Sequence, residues 1–271
     1  MTASISLPAR NAGRISADRL AGFGPLFRKE LREWTHSKRI WVILGTTTAF
    51  MALTAANGAI TSWLVANVPD GTPPETPIVL DPLMNFFSAI SSQIFVMVAI
   101  FAAMSLLIGE RDKGTLSWVA SKPVSRGSIW VSKWAAASIV LSIVAGIVPM
   151  AATYGLATVL YGPVGLDALV LAVIGVAASI TFMVAVVLAA SVVVANQAAV
   201  AAIGFVVFFF PQLLAGLLPV DISPVLPSSF LNWAISPIVG AEMGIVTPIA
   251  WAVSVVALVG FATWRMDRLE F

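Results

Sequence analysis

Beyond Ile40 the sequence is a succession of apolar stretches, and its fifteen Lys and Arg residues fall before, after or at the edges of them. Eight precede Ile40 (Arg10, Arg14, Arg19, Arg28, Lys29, Arg32, Lys38, Arg39), five lie from Gly109 to Lys133 (Arg111, Lys113, Lys122, Arg126, Lys133), and two follow Trp264 (Arg265, Arg268). The alternate connecting segments carry acids only: Asp70, Glu75, Asp81, Asp167, Asp221 and Glu242. Basic loops are retained in the cytoplasm, so this alternation predicts an all-α integral membrane protein of the cell membrane. It has six transmembrane helices and both termini cytoplasmic. Composition agrees: of 271 residues, 59% are hydrophobic and 10% charged, against about a quarter charged in a soluble domain.

The same composition removes whole classes of function. There is no cysteine and one histidine, His36, so disulfides, Cys-ligated metals and His-based triads or metal clusters are excluded. No Asp, Glu, Lys, Arg or His falls deep within a predicted span, where such groups mark proton relays and ion-coupled transport. No Gly-x-x-x-x-Gly-Lys-Ser/Thr loop occurs, so the chain does not bind ATP by that route. No nucleic-acid partner is expected, and an intramembrane enzyme is disfavoured. If the protein moves something, another chain supplies the energy.

Taken in order, residues 1–24 read as a mobile cytoplasmic tail rich in Ser, Ala and Arg, although a transit peptide has a similar composition. No cleavable signal peptide is expected, because the first apolar run begins near residue 40 and is too long for an h-region. Residues 25–39 predict an amphipathic helix, with Pro25 in its first turn. Phe27, Leu31 and Trp34 occupy one face, and Arg28, Lys29, Arg32 and Glu33 the other. Such a helix either lies along the membrane surface with Trp34 at headgroup level or packs on a soluble partner. The transmembrane domain, 40–271, has spans near 40–66, 83–108, 129–160 (kinked at Pro149), 167–194, 198–218 and 248–264. The Pro-rich segment 67–81 is an extended outer loop. In the outer region 219–247, SSFLNWAI and IVGAEMGIV predict two short re-entrant helices, tolerable where protein covers their backbone.

The inner loop 109–133, GERDKGTLSWVASKPVSRGSIWVSK, holds five cations between two spans. Thr115 to Ala120 can form a short helix, capped by Asp112 or Thr115 and stopped by Pro123. It would present Leu116, Trp118 and Val119 to water unless a partner covers them, which reads as a docking element.

This loop resembles the first cytoplasmic loop of ABC-2 type permeases, the membrane halves of many ATP-driven exporters. The matching positions are Glu110, Arg111, Gly114, Thr115 and Leu116, then Pro123, Val124, Ser125 and Arg126, then Lys133. Arg-Lys-Glu-Leu before the first span, the six spans and the broken outer helices are similar more loosely. The resemblance implies that the short helix is a coupling helix seated in a groove of a separate nucleotide-binding (ATPase) subunit. The N-terminal helix would flank it, and ATP and Mg would be held by that partner; this chain itself needs no cofactor or metal. Leu116, Trp118 and Val119 would supply buried anchor area, and Glu110, Arg111, Lys113 and Arg126 a charged rim. It implies a second permease chain too, identical or related, with the substrate path along the first, second and fifth spans.

Asn57, Gln93 and Gln212 are the most polar side chains on those spans, with Thr54, Ser88 and Ser92 nearby. They line the path or hydrogen-bond one helix to another. The methionines read as gap-fillers, not copper ligands, and Ala168, Ala172, Gly175 and Ser179 as a close-packing stripe. Three functions stay open: a permease exporting a hydrophobic or amphipathic cargo, an ABC membrane subunit passing ATP-driven motion to an extracytoplasmic partner, and a non-ABC membrane scaffold or enzyme.

Overall fold

The computed structural model describes residues 21–67, 80–91, 93–115, 124–217 and 222–268. Among these residues every regular element is helical, with no strand. In chain order they are α1 (Phe23–Thr35), α2 (Arg39–Ala55), α3 (Asn57–Asn67), α4 (Pro82–Ser91), α5 (Ile94–Asp112), α6 (Arg126–Leu141), a π-helical segment (Ser142–Ile147) and α7 (Val148–Tyr161). Then follow α8 (Leu166–Val193), α9 (Gln197–Leu217), α10 (Phe230–Ile235) and α11 (Val246–Asp267). Five segments are long and apolar enough to cross a membrane, and α2 with α3 makes a sixth if that bent pair is one span.

The centre of the bundle is α8, whose most apolar stretch is 67% buried against 17% for that of α11. It packs against α5, α6, α9, α10 and α11. Its only charge, Asp167, sits in the first turn, where the exposed amides favour an anion. The stripe Ala168, Ala172, Gly175 and Ser179 is buried along it, as expected for a face approached closely by other helices. Trp130 and Trp134 of α6 stack on one another and donate their indole N–H groups to the carbonyls of Leu188 (3.1 Å) and Thr181 (3.2 Å) of α8. A buried indole thereby keeps its hydrogen bond.

Three predicted spans are interrupted. The first bends by 53° between Ala55 and Asn57. The Tyr161 hydroxyl, from the far end of α7, accepts from the Ala59 amide (2.9 Å) and donates to the Ala55 carbonyl (2.8 Å). It thus satisfies both backbone groups that the bend removes from the helical ladder. Tyr161→Phe leaves both without that partner and should cost about 1–2 kcal/mol in thermal unfolding of the detergent-solubilised chain. An unchanged transition would show that the bend holds without it. The second span breaks at Gln93, whose φ of 52° is left-handed and rare outside glycine. In the third, the departure expected at Pro149 is a π-helical segment just before it, which leaves the proline in the first turn of α7, where its missing N–H is harmless.

The segment between the last two spans differs from expectation in its second half. Phe230–Ile235 is helical, preceded and followed by 3₁₀ turns. IVGAEMGIV makes no second helix. The turn ends at Gly240 (φ 77°), residues 241–245 run without helix, and the last span starts at Val246, not Pro248. A segment that short, with two glycines, cannot offset helix nucleation. α10 packs beside Gly175, nine residues into α8, or roughly 14 Å along its axis at 1.5 Å per residue.

Candidate functional site

Both flanks of the loop that carries the motif are fixed by short-range chemistry. On the α5 side, Gly114 follows the helix with φ 68° and donates its N–H to the Arg111 carbonyl at 3.0 Å. This is the left-handed helix terminator for which glycine is favoured, so Gly114 ends a helix here. Thr115 donates its hydroxyl to the Glu110 carbonyl at 3.1 Å. On the α6 side, the Ser125 hydroxyl accepts from the Ser128 amide at 3.2 Å and caps α6. The Ser125 amide and the Ser128 hydroxyl both donate to the Ala21 carbonyl, at 3.0 and 2.9 Å. Gly22, at φ 83°, lies so close beneath Val124 that a β-carbon there would collide with its side chain. Val124 and Ser125 of the motif, with Ser128, therefore pin the start of α1 to the start of α6.

α1 is amphipathic as predicted, but the chain itself covers its apolar side. Arg28, Arg32 and Glu33 are exposed while Trp34, expected at headgroup level, is 6% exposed within the hydrophobic core. Glu30 is buried on the same side. One helical turn before Trp34 and next to Leu31, it is an acid on an apolar stripe, a signal present in the spacing that the sequence reading passed over.

Glu30 is held by a five-residue charged knot. Lys133 of α6, 3% exposed, donates to Glu30 at 2.9 Å and lies 2.8 Å from the carboxylate of Glu110 at the end of α5. Lys29 reaches Glu110 and Glu33 at 3.2 Å and Glu30 at 3.3 Å. Burial pulls the Lys29 ammonium toward its neutral form. The carboxylates of Glu30, Glu110 and Glu33 outweigh that and hold its pKa well above the ordinary 10.5. A raised lysine pKa stabilises the fold at every pH below the unfolded value and is lost only as pH climbs through the raised one. Lys29 therefore keeps its charge across the neutral range. Glu30, Glu33 and Glu110 stand close enough together to hold a cation, and the ammonium groups of Lys29 and Lys133 already serve them.

The other predicted site residues divide. Arg111 is half-buried in the last turn of α5 and Arg126 half-buried in the first turn of α6. Leu116, Trp118, Val119 and Pro123 lie outside the described residues. Of the three proposed path residues, the fold brings two together: the Gln212 side chain of α9 donates to Gln93 at 3.5 Å and to the Phe208 carbonyl at 3.1 Å. Asn57 is exposed at the break of the first span, and no hydrogen bond joins it to that pair. Nearby, Ser88 donates to the Thr54 carbonyl at 3.4 Å.

A sequence model for the ABC-2 family transporter proteins matches residues 25–258. The chain belongs to this family. A comparison with curated proteins found no match. The ABC-2 match begins within α1 and runs into α11, so it takes in all five residues of the knot. The protein is thus an ABC-2 transporter membrane subunit with several helical spans.

Proposed function

We propose that this ABC-2 chain is the permease half of an exporter, driven by a separate nucleotide-binding subunit that docks on the loop between α5 and α6. The observation that carries this reading is the charged knot. α1, the end of α5 and α6 share ion pairs, of which Glu30–Lys133 is buried, so a load on the intervening loop passes into the second and third spans together and is not absorbed by a pliable tether. In this reading Leu116, Trp118 and Val119 are the apolar anchors of a coupling helix. Arg111, Lys113 and Arg126 lie at its rim, with Glu110 beneath it holding its base. The partner carries ATP and Mg. The chain crosses the membrane six times with the knot and both termini on the cytoplasmic side, and the α10 region is re-entrant from the outer side. A second permease chain completes the path, and the cargo is hydrophobic or amphipathic.

The test is a pull-down and ATPase assay on the complex from its native host. Leu116→Asp is expected to abolish co-purification of a nucleotide-binding subunit. Trp118→Ala should lower transport per ATP by about tenfold or more, as for a buried aromatic anchor. Normal transport by both variants would sink the docking assignment.

A further inference from the structure

A groove of about 620 Å³ runs between α2 and α5, within the roughly 300–1,000 Å³ of small-ligand sites. Its walls are apolar, formed by Val42, Ile43, Phe101, Ala102 and Met104. At one end it changes character: Lys38 and Arg39 of the α2 start line it together with Ser105 and Gln197. Lys38 and Arg39 are both exposed. Among the described residues neither makes an ion pair, in contrast to Lys29 and Lys133. The Arg39 guanidinium donates to the Ser105 hydroxyl at 3.5 Å. It also borders a polar cleft with Glu30 and Glu33, but those carboxylates are already held by Lys29 and Lys133.

An apolar channel with two unpaired cations at one mouth is complementary to one kind of ligand, an acyl chain joined to an anion. We infer that this groove binds an anionic glycerophospholipid, its phosphodiester on Lys38 and Arg39 and one acyl chain between α2 and α5. The walls set a lipid apart from a soluble phosphate, which would leave them bare. Basic clefts between helices at the basic end of a membrane protein recognise anionic headgroups in this way. The site is a property of this chain and does not depend on the docking of an ATPase subunit.

The full-length protein, with whatever subunits accompany it, is titrated in mixed micelles with phosphatidylglycerol or phosphatidylcholine, and retained lipid is counted by native mass spectrometry. The wild-type chain should retain phosphatidylglycerol at about thirtyfold lower lipid concentration, the preference that two surface cations supply. Lys38→Gln with Arg39→Gln should remove the preference, Ala102→Phe should expel either lipid, and Arg265→Gln with Arg268→Gln should change nothing. A preference that survives in the Lys38/Arg39 variant, or is lost equally in the Arg265/Arg268 variant, would overturn the site. Displacement by millimolar inorganic phosphate would reassign it to a soluble anion. A change of oligomeric state with lipid retention unaltered would make it an interface between copies.

Discussion

Lys133→Met should lower the stability of the solubilised protein by about 3–5 kcal/mol, the cost of leaving a buried carboxylate without its cation. Lys133 is 3% exposed and bonds Glu30 and Glu110 at 2.9 and 2.8 Å. Without it, Glu30, itself 6% exposed, keeps only Lys29 at 3.3 Å. The loss is read from chemical or thermal unfolding followed by tryptophan fluorescence. Glu30→Leu combined with Lys133→Met should recover most of it, because an apolar pair restores packing and removes the unpaired charge. Glu110 then still has Lys29 at 3.2 Å. A loss below about 1 kcal/mol for the single variant would place the pair among weak surface bridges and remove the mechanical argument for the knot. A functional signature accompanies this: Lys133→Met should let ATP hydrolysis by the assembled transporter continue while transport falls, because the loop no longer grips both helices.

The second large effect concerns Gly175. A β-carbon there would stand 2.8 Å from Leu231 Cδ1, 3.1 Å from Ala234 Cβ and 3.1 Å from the Leu231 Cα. The first contact can be relieved by a rotamer change, whereas the last is backbone, so α10 itself must move. Gly175→Val is expected to cost about 3 kcal/mol, the upper part of the range for overpacking. It should also speed proteolysis between residues 222 and 245 as α10 lifts from α8. Gly155→Val is the control, since nothing lies within 4 Å of its β-carbon position, and it should leave both readouts near wild type. Equal behaviour of the two variants would show that α10 is not seated against α8 by close approach.

Much of this arrangement is legible residue by residue. The start and end of α8 follow from the run between Gly165 and Asn196, and α10 from the apolar piece FLNWAI between two prolines. The breaks were not read: Asn57-Gly58 beside Ala56 is a turn dipeptide set within an apolar run of span length, nothing at Gln93 announces the second, and the bend at Ala56 is completed by a hydroxyl about a hundred residues away, on Tyr161. Nor was the inward turn of α1. The faces of that helix are readable, but the choice between lipid, a partner protein and the chain's own α6 rests on Ala21, Gly22, Val124 and Ser128 meeting.

By itself the sequence determined that the chain is helical and membrane-embedded, where its apolar runs lie, and that its cations gather at their edges. Those properties follow from transfer free energies and backbone hydrogen bonding, which are local and sum along the chain. Only the tertiary structure decided that Glu30, Glu110 and Lys133 form one cluster, that Tyr161 mends the first span, and that Lys38 and Arg39 stay unpaired at the mouth of an apolar groove. Each of these depends on where distant helices meet. A charge's partner is set by a separation of a few ångströms in space, and the spacing of residues along the chain carries no record of it.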